Sequence, residues 1–313
     1  MNPWMIALAG VWMTGLAAAT GQEVALETPT ATLYGTLELP AGSGPFVVAL
    51  IHPGSGPTDR DGNTRGLPGK NDSLKLLAEG LAAQGVASLR VDKRAVGKSV
   101  QPGLKEEEVT LDTFAADALA WIAFLRKDRR FSRVAFIGHS EGALIGLLAS
   151  SQADGYVSLA GAGRPLDVVL TEQLEANPAN PPALIEESKK IMAELKAGRT
   201  VAQVSPVLAP LFRPSVQPFL ISSFRRDPAR LMAGLQTPAL IVQGTTDIQV
   251  AVKDAQALAA ANPRARLVLL EGMNHVLKAA PAERNANLAT YFNPSLPLAN
   301  SLVENIAQFL KGL

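Results

Sequence analysis

At residues 134–142 the sequence reads Val134-Ala135-Phe136-Ile137-Gly138-His139-Ser140-Glu141-Gly142. An apolar run typical of a buried strand leads into a G-x-S-x-G pattern, and a helical pattern follows it. A sharp strand-to-helix turn projects the serine hydroxyl from the sheet edge, and it needs flanking glycines because the backbone there approaches too closely for β-carbons. We therefore predict that Ser140 is a nucleophile, in preference to an incidental serine in a glycine-rich loop.

A serine hydroxyl is a weak nucleophile at neutral pH and needs an adjacent base. The chain has only three histidines. His139 lies inside the turn and His52 ends an early strand, whereas His275 lies in a loop just after the strand that ends at Leu270. Because α/β sheets place catalytic groups beyond the carboxyl ends of their strands, we predict His275 as the general base. The alternative is an ordinary loop histidine.

An acid is needed to orient the imidazole and to stabilise its charged form. Asp247 lies just past the strand predicted at 239–242 and is our candidate. Asp254 and Glu271 are rivals, but the first falls within a helical pattern and the second directly at a strand end. The other interpretation of Asp247 is a turn residue that caps the next helix.

An oxyanion hole requires two backbone N–H donors. One is expected from Glu141, directly after the nucleophile, and the other from the loop after the first buried strand. Pro53 is excluded because proline has no amide hydrogen. Ser55 is the preferred donor in this loop, with Gly54 and Gly56 as alternatives.

Short β-rich runs alternate with helical patterns along most of the chain, which indicates a parallel sheet with crossover helices. A proline-rich, helical stretch at about 164–235 interrupts this alternation and is predicted to be an insertion. Its Phe212, Phe219 and Phe224 either form an acyl pocket or pack the insertion onto the sheet. Predicted strands lie at 31–39, 46–51, 86–91, 134–137, 156–160, 239–242 and 266–270, and predicted helices at 72–84, 110–126, 184–195, 251–261 and 301–310.

The composition of the 313-residue chain excludes several classes of protein. With 29 Lys+Arg against 28 Asp+Glu, the chain lacks the excess of positive charge that is typical of proteins that bind nucleic acids. The absence of cysteine excludes disulfides, thiolate metal sites and a cysteine nucleophile. We expect neither a cofactor nor a metal, and a small-molecule substrate that is neutral.

The amino terminus is predicted to be a signal peptide at residues 1–19. No charged residue occurs from Trp4 to Ala19, and the stretch ends in Ala17-Ala18-Ala19, a small-residue cleavage pattern. Residues 1–22 contain no Lys or Arg, so an uncleaved membrane anchor or a buried first helix are the alternatives. We expect an exported bacterial protein, periplasmic or secreted, that starts near Thr20 and keeps no membrane span.

The polar loop at Asp59, Arg60 and Asp61 has two interpretations. These residues either line the mouth of the site and orient substrate, or form a solvated loop in ion pairs with Lys93 or Arg94. We favour the solvated loop.

Together these motifs resemble bacterial α/β-hydrolases of the serine esterase type, in the dienelactone-hydrolase-like and serine-aminopeptidase-like group. The resemblance runs from about residue 30 to the carboxyl terminus, and the order Ser140, Asp247, His275 is that of the family. It departs from the family at Ala95, where glycine is usual, and at His52-Pro53, where many members have His-Gly. The motifs that carry it are Gly54-Ser55-Gly56-Pro57-Thr58-Asp59-Arg60-Asp61-Gly62-Asn63, Asp92-Lys93-Arg94, Gly138–Gly142, Gly244-Thr245-Thr246-Asp247 and Gly272-Met273-Asn274-His275.

The resemblance implies an α/β-hydrolase fold at residues 20–313, with a mostly parallel sheet flanked by helices and a helical cap at about 164–235. It also implies a serine carboxylesterase that cleaves small esters through an acyl-enzyme. A serine aminopeptidase or an acyl thioesterase on the same triad is the alternative, and a non-catalytic hydrolase-like binding protein is a further one. An aminopeptidase must bind a peptide amine, for which the cap offers Glu172, Glu175, Glu186 and Glu187.

Overall fold

One eight-stranded sheet organises residues 21–313, the part of the chain described by this computed structural model. The strand order is β1-β2-β4-β3-β5-β6-β7-β8. The pairs β1–β2 and β2–β4 are antiparallel and all other pairs are parallel, which confirms the predicted mostly parallel sheet. The strands are β1 (Gln22–Thr28), β2 (Ala31–Glu38), β3 (Phe46–His52), β4 (Ala87–Val91), β5 (Phe131–His139), β6 (Gly155–Leu159), β7 (Ala239–Gly244) and β8 (Arg266–Leu270).

Helices cover both faces of this sheet. Helices α1 and α11 enclose one apolar core against the sheet, with Leu74 and Ile306 among its buried residues. Helices α2, α3 and α9 enclose the other, around Trp121 and Phe136. Burial on both faces explains why the central strands are continuously apolar. The helices are α1 (Ser73–Ala83), α2 (Leu111–Arg126), α3 (Glu141–Ala149), α4 (Leu166–Glu175), α5 (Pro182–Lys196), α6 (Ala209–Phe212), α7 (Gln217–Phe224), α8 (Pro228–Gly234), α9 (Val252–Ala261), α10 (Arg284–Ala289) and α11 (Leu302–Lys311).

Strand β1 is an element that the sequence analysis does not predict. It has three apolar residues, Val24 to Leu26, between polar ones and pairs antiparallel with β2 across the turn at 29–30. As the edge strand it has one strand partner within the described residues, and each of its residues is exposed or half-buried. An edge strand of this kind has a weak apolar signal, so its pairing partner reveals it better than its composition does.

Helices α4 to α8 form a separate layer between β6 and β7, in the stretch for which the sequence predicts a cap. Helices α4 to α7 share a small apolar core of their own, which includes Ile191, Leu195, Phe212, Leu220 and Phe224, whereas α8 packs with Met232 into the core around Trp121. This core allows the insertion to keep its shape at the carboxyl edge of the sheet.

The predicted signal peptide at residues 1–19 lies outside the described residues. Within residues 21–313, no helix is both long enough and apolar enough to cross a membrane.

Candidate active site

Ser140 lies at the turn between β5 and α3, in a backbone conformation that non-glycine residues rarely adopt (φ 54°, ψ −117°). Its amide donates to the carbonyl of Leu159, 2.9 Å away on the neighbouring strand. Such a conformation costs on the order of 1–3 kcal/mol and persists only where the surroundings hold it. The strain is therefore maintained by the packing of the turn against the sheet.

The two glycines of the motif are required by close backbone contacts. A β-carbon on Gly138 would lie 2.2 Å from the carbonyl oxygen of Gly142, and one on Gly142 would lie 2.4 Å from that of His52. Both distances are far below van der Waals contact. The turn can therefore exist only with glycine at these two positions.

Asp247 and His275 meet across the ends of β7 and β8. His275 Nδ1 donates to Asp247 Oδ2 at 2.8 Å, and both side chains are buried. The other carboxylate oxygen, Oδ1, accepts from the amides of Gln249 and Val250 at 2.8 and 2.9 Å. Burial by itself would raise the pKa of Asp247, but His275 and these amides outweigh burial and hold the pKa below its ordinary value.

This hydrogen bond selects one tautomer of His275. An ionised carboxylate only accepts, so the proton of the neutral ring lies on Nδ1 and the lone pair on Nε2. His275 lies beside the serine turn, since His139 Nε2 donates to the His275 carbonyl at 2.8 Å and the two rings are 5.0 Å apart. Within the described residues, no hydrogen bond of 3.5 Å or less joins Ser140 to the His275 ring. A hydrogen bond between a nucleophile and its base is often long without substrate and tightens in the substrate complex.

The other two histidines are buried and neutral at pH 7. Burial, assisted by the neighbouring His275, lowers the pKa of His139 to about 4. Burial and the charge of Lys93 lower the pKa of His52 to about 3. His52 stacks on Phe136, with ring centroids 6.1 Å apart. Both rings therefore contribute packing and backbone contacts to the walls of the site.

The predicted oxyanion-hole residues lie on either side of Ser140. Glu141 is the first residue of α3, where the helix dipole is positive. Gly54 lies so close to the serine that a β-carbon on it would be 3.2 Å from Ser140 Cβ. Ser55 follows Gly54, and its carbonyl accepts from the Thr58 hydroxyl at 2.7 Å.

Asp254, the first rival acid, has a structural partner instead. It is fully buried and accepts from Arg164 Nη2 at 2.8 Å and from the Gly163 amide at 3.2 Å. The structure thus uses it to anchor the start of the cap to α9. Glu271, the second rival, is exposed at the end of β8.

The ion-pair partners predicted for the polar loop are wrong. Arg60 is buried and donates to Asp92 from Nε and Nη2 at 2.9 and 2.6 Å, and Asp61 pairs with Arg90. Lys93 and Arg94 have other partners, since Lys93 pairs with Glu141 and Arg94 with Asp117. Arg60 therefore belongs to a buried ion pair, whereas Asp61 is partly exposed and Asp59 accepts from the amides of Asp61 and Asn63.

A cavity of about 260 Å³ lies between the cap and the serine turn. Phe114 and Phe219 form an apolar wall with ring centroids 5.7 Å apart, while Lys93, Glu141 and Gly56 line the side nearer Ser140. Of the three cap phenylalanines, Phe219 therefore lines a cavity, whereas the other two are buried in the cap core. Among residues 21–313, no group of three acidic or histidine side chains is placed to hold a metal ion.

Two positioning residues escaped the sequence analysis. Gln243 is buried and donates from Nε2 to Asp247 Oδ2 at 3.0 Å and to the Val250 carbonyl at 2.9 Å. Asn274 donates to the Thr290 hydroxyl at 2.7 Å and accepts from the Lys278 amide at 3.1 Å. Asn274 could have been found from its place beside His275 in a quoted motif, whereas Gln243 lies just before the motif that contains Asp247 and had no such signal.

Comparisons with known proteins agree with this arrangement. A family model described as the alpha/beta hydrolase family matches residues 39–289. The esterase EstD of Thermotoga maritima is 31% identical over 264 residues, which cover 80% of this chain and 60% of that protein. The aligned part therefore spans less than two thirds of that relative.

Solved structures show the same fold at low sequence identity. An esterase of Pyrococcus furiosus has a TM-score of 0.61 at 18% identity, with 97% of this chain and 96% of that chain covered. Est1E of Butyrivibrio proteoclasticus has a TM-score of 0.58 at 15% identity, with 94% and 100% covered. A dienelactone hydrolase of Anabaena variabilis has a TM-score of 0.54 at 14% identity, with 94% and 98% covered.

Proposed function

Because the chain belongs to the alpha/beta hydrolase family, we propose that it hydrolyses carboxylic esters through an acyl-enzyme on Ser140. His275 is the general base and Asp247 holds its imidazole. The geometry that carries this proposal is the 2.8 Å bond from His275 Nδ1 to Asp247, beside a serine held at φ 54°. The relative named as an esterase supports the choice of ester substrates.

The reaction proceeds in two displacements. Ser140 Oγ attacks the ester carbonyl while His275 Nε2 takes its proton, and the same nitrogen then returns that proton to the leaving alcohol. Water next attacks the acyl-enzyme with His275 again as base, which releases the acid and regenerates the serine. Asp247 stays ionised throughout and stabilises the imidazolium that forms in each step.

Backbone amides of Ser55 and Glu141 are proposed to bind the tetrahedral oxyanion. Both residues flank Ser140, one in the loop after β3 and the other at the start of α3. Loss of one such donor typically costs on the order of 10²–10³ in turnover. The cavity lined by Phe114 and Phe219 is proposed to take an apolar part of the ester.

The aminopeptidase alternative is weakened by the pairing of the cap carboxylates. Glu172 accepts from Arg164 and Lys253, and Glu175 and Glu186 both pair with Lys189. Glu187, the fourth, accepts from the amide of Ser205 at 3.0 Å. These groups are engaged within the cap and its junction with α9, so a substrate amine would have to displace their partners.

A substrate panel tests the proposal. Purified protein is assayed on short p-nitrophenyl esters, acyl-CoA thioesters and aminoacyl anilides, and labelled with a fluorophosphonate probe. We expect esters to be the best substrates, and Ser140→Ala to abolish both hydrolysis and labelling. Ser151→Ala, which changes an exposed serine nearby in sequence, should leave both intact. Faster cleavage of thioesters or anilides, or undiminished labelling of Ser140→Ala, would overturn the assignment.

We also propose that the enzyme acts after export, with cleavage following Ala19. The support is the uncharged stretch and the small-residue pattern described above. Intact mass measurement of protein isolated from a bacterial periplasm or medium tests this, and the expected mature chain begins near Thr20. A mass that retains the first 19 residues would contradict it.

A further inference from the structure

Lys93 is a buried lysine directly behind the proposed oxyanion hole. Its side chain is 2% exposed, and Nζ donates to the Gly54 carbonyl at 2.5 Å and to Glu141 Oε1 at 3.1 Å. Burial of a lysine is costly unless the ammonium is paired and hydrogen-bonded. The two partners of Lys93 belong to the two segments that supply the proposed oxyanion donors.

We propose that Lys93 is a positioning residue, which fixes and strengthens the oxyanion hole through its contacts with Gly54 and Glu141. This role rests on the proposed ester hydrolysis. It extends that function because it gives Lys93, a residue outside the triad, a role in stabilising the transition state. Three physical effects act together in it.

The first effect is orientation of the Ser55 amide. The Gly54 carbonyl and the Ser55 N–H belong to the same peptide unit, and in a trans peptide they point in opposite directions. The bond from Lys93 holds the carbonyl on one side. The Ser55 N–H is thereby held on the other side, so rotation of this peptide would break a charge-assisted hydrogen bond.

The second effect is polarisation of the same amide. A cation on a carbonyl oxygen draws electron density from the peptide, which makes its N–H a stronger donor. Both Lys93 and Gly54 are withdrawn from solvent, where this cooperative effect is least screened. The amide is thus a better donor to a developing oxyanion than an unpaired loop amide would be.

The third effect is neutralisation of Glu141. Its carboxylate, 11% exposed, lies next to the place where negative charge develops on the substrate, and like charges at short range oppose each other. The ion pair with Lys93 offsets that repulsion. The Phe114 ring lies 5.4 Å from Nζ and lines the same cavity as Lys93 and Glu141.

Kinetics of Lys93→Met test this role, since methionine keeps much of the volume and removes the charge. We expect kcat to fall on the order of 10²-fold with little change in KM, because the lost interaction acts on the transition state. Inhibition by a trifluoromethyl ketone, whose serine adduct carries an oxyanion, should weaken in parallel. Lys93→Gln, which can still donate to Gly54, should lie between wild type and Lys93→Met. Adding Glu141→Gln to Lys93→Met should recover part of kcat.

Lys98→Met is the matched control for loss of one positive charge. Lys98 is exposed and pairs only with Glu23 among the described residues, so kcat should stay at the wild-type value. Wild type and Ser140→Ala are assayed in the same series. If wild type is active and depends on Ser140, a Lys93→Met kcat within threefold of wild type, or a loss confined to KM, overturns the role of Lys93 alone. An inactive wild type would remove the proposed function and this inference with it. If Lys93→Met does not fold, the same criteria apply to Lys93→Gln.

Discussion

Replacement of Asp247 by asparagine is expected to invert the tautomer of His275. Oδ1 of Asp247 accepts from two backbone amides, at Gln249 and Val250, so the asparagine oxygen must take that place. The NH₂ group then faces His275 Nδ1, 2.8 Å from the former Oδ2, and forces that nitrogen to accept. The ring proton moves to Nε2, which can no longer take the proton of Ser140.

The expected loss in kcat is on the order of 10⁴-fold, which is about 5 kcal/mol of activation free energy. Asparagine also places its NH₂ against the Gln243 amide, which donates at 3.0 Å in the wild type, so the free energy of unfolding should fall by about 1–3 kcal/mol. Ester hydrolysis under saturating substrate gives kcat, and urea unfolding gives the stability.

Asp254→Asn is the matched control, since it changes a second buried carboxylate that bonds the cap arginine Arg164. It should lower stability and leave kcat within a fewfold of wild type. The reasoning is refuted if Asp247→Asn keeps more than a tenth of the wild-type kcat, or if Asp254→Asn loses as much.

Three further predictions concern stability, each measured by urea unfolding. Gly142→Ala should destabilise the protein by at least about 3 kcal/mol, because its β-carbon would lie 2.4 Å from the His52 carbonyl oxygen. Gly234→Ala is the control, since a β-carbon there meets open space and should leave stability unchanged. Equal effects of the two substitutions would contradict the prediction. Ala95→Gly should stabilise by up to about 1 kcal/mol, because Ala95 has a left-handed φ of 65°, and any loss of stability would count against it. Below pH 6.5 the unfolded chain binds protons that the buried His52 and His139, with pKa values of about 3 and about 4, cannot take up. Stability should therefore rise with pH up to about 6.5, by about 2 kcal/mol for each histidine between pH 5 and pH 7. His52→Gln should remove the part of this rise that His52 contributes. Coinciding pH profiles of wild type and His52→Gln would contradict the prediction.

Local signals in the chain were sufficient for the central strands, several of the helices and the mostly parallel sheet, but not for the edge strand β1. The apolar run before Gly138 predicts a buried strand, and β5 occupies it. The unpredicted left-handed conformation at Ala95 also explains why related sequences usually carry glycine at that position. Signals of this kind reach only a few residues along the chain, where periodicity and turn chemistry act.

The partners of Arg60 and Lys93 were decided by the tertiary structure alone. Arg60 bonds Asp92 across 32 positions, and Lys93 bonds Glu141 across 48. No local sequence pattern predicts pairs at these separations. The paired residues become neighbours only because the sheet places β4 next to β3 and β3 next to β5. The sequence therefore determined which residue types lie at the strand ends. Packing decided that the Lys93 side chain points inward, behind Ser55 and Glu141. A buried charge at that place is stable only when it is paired.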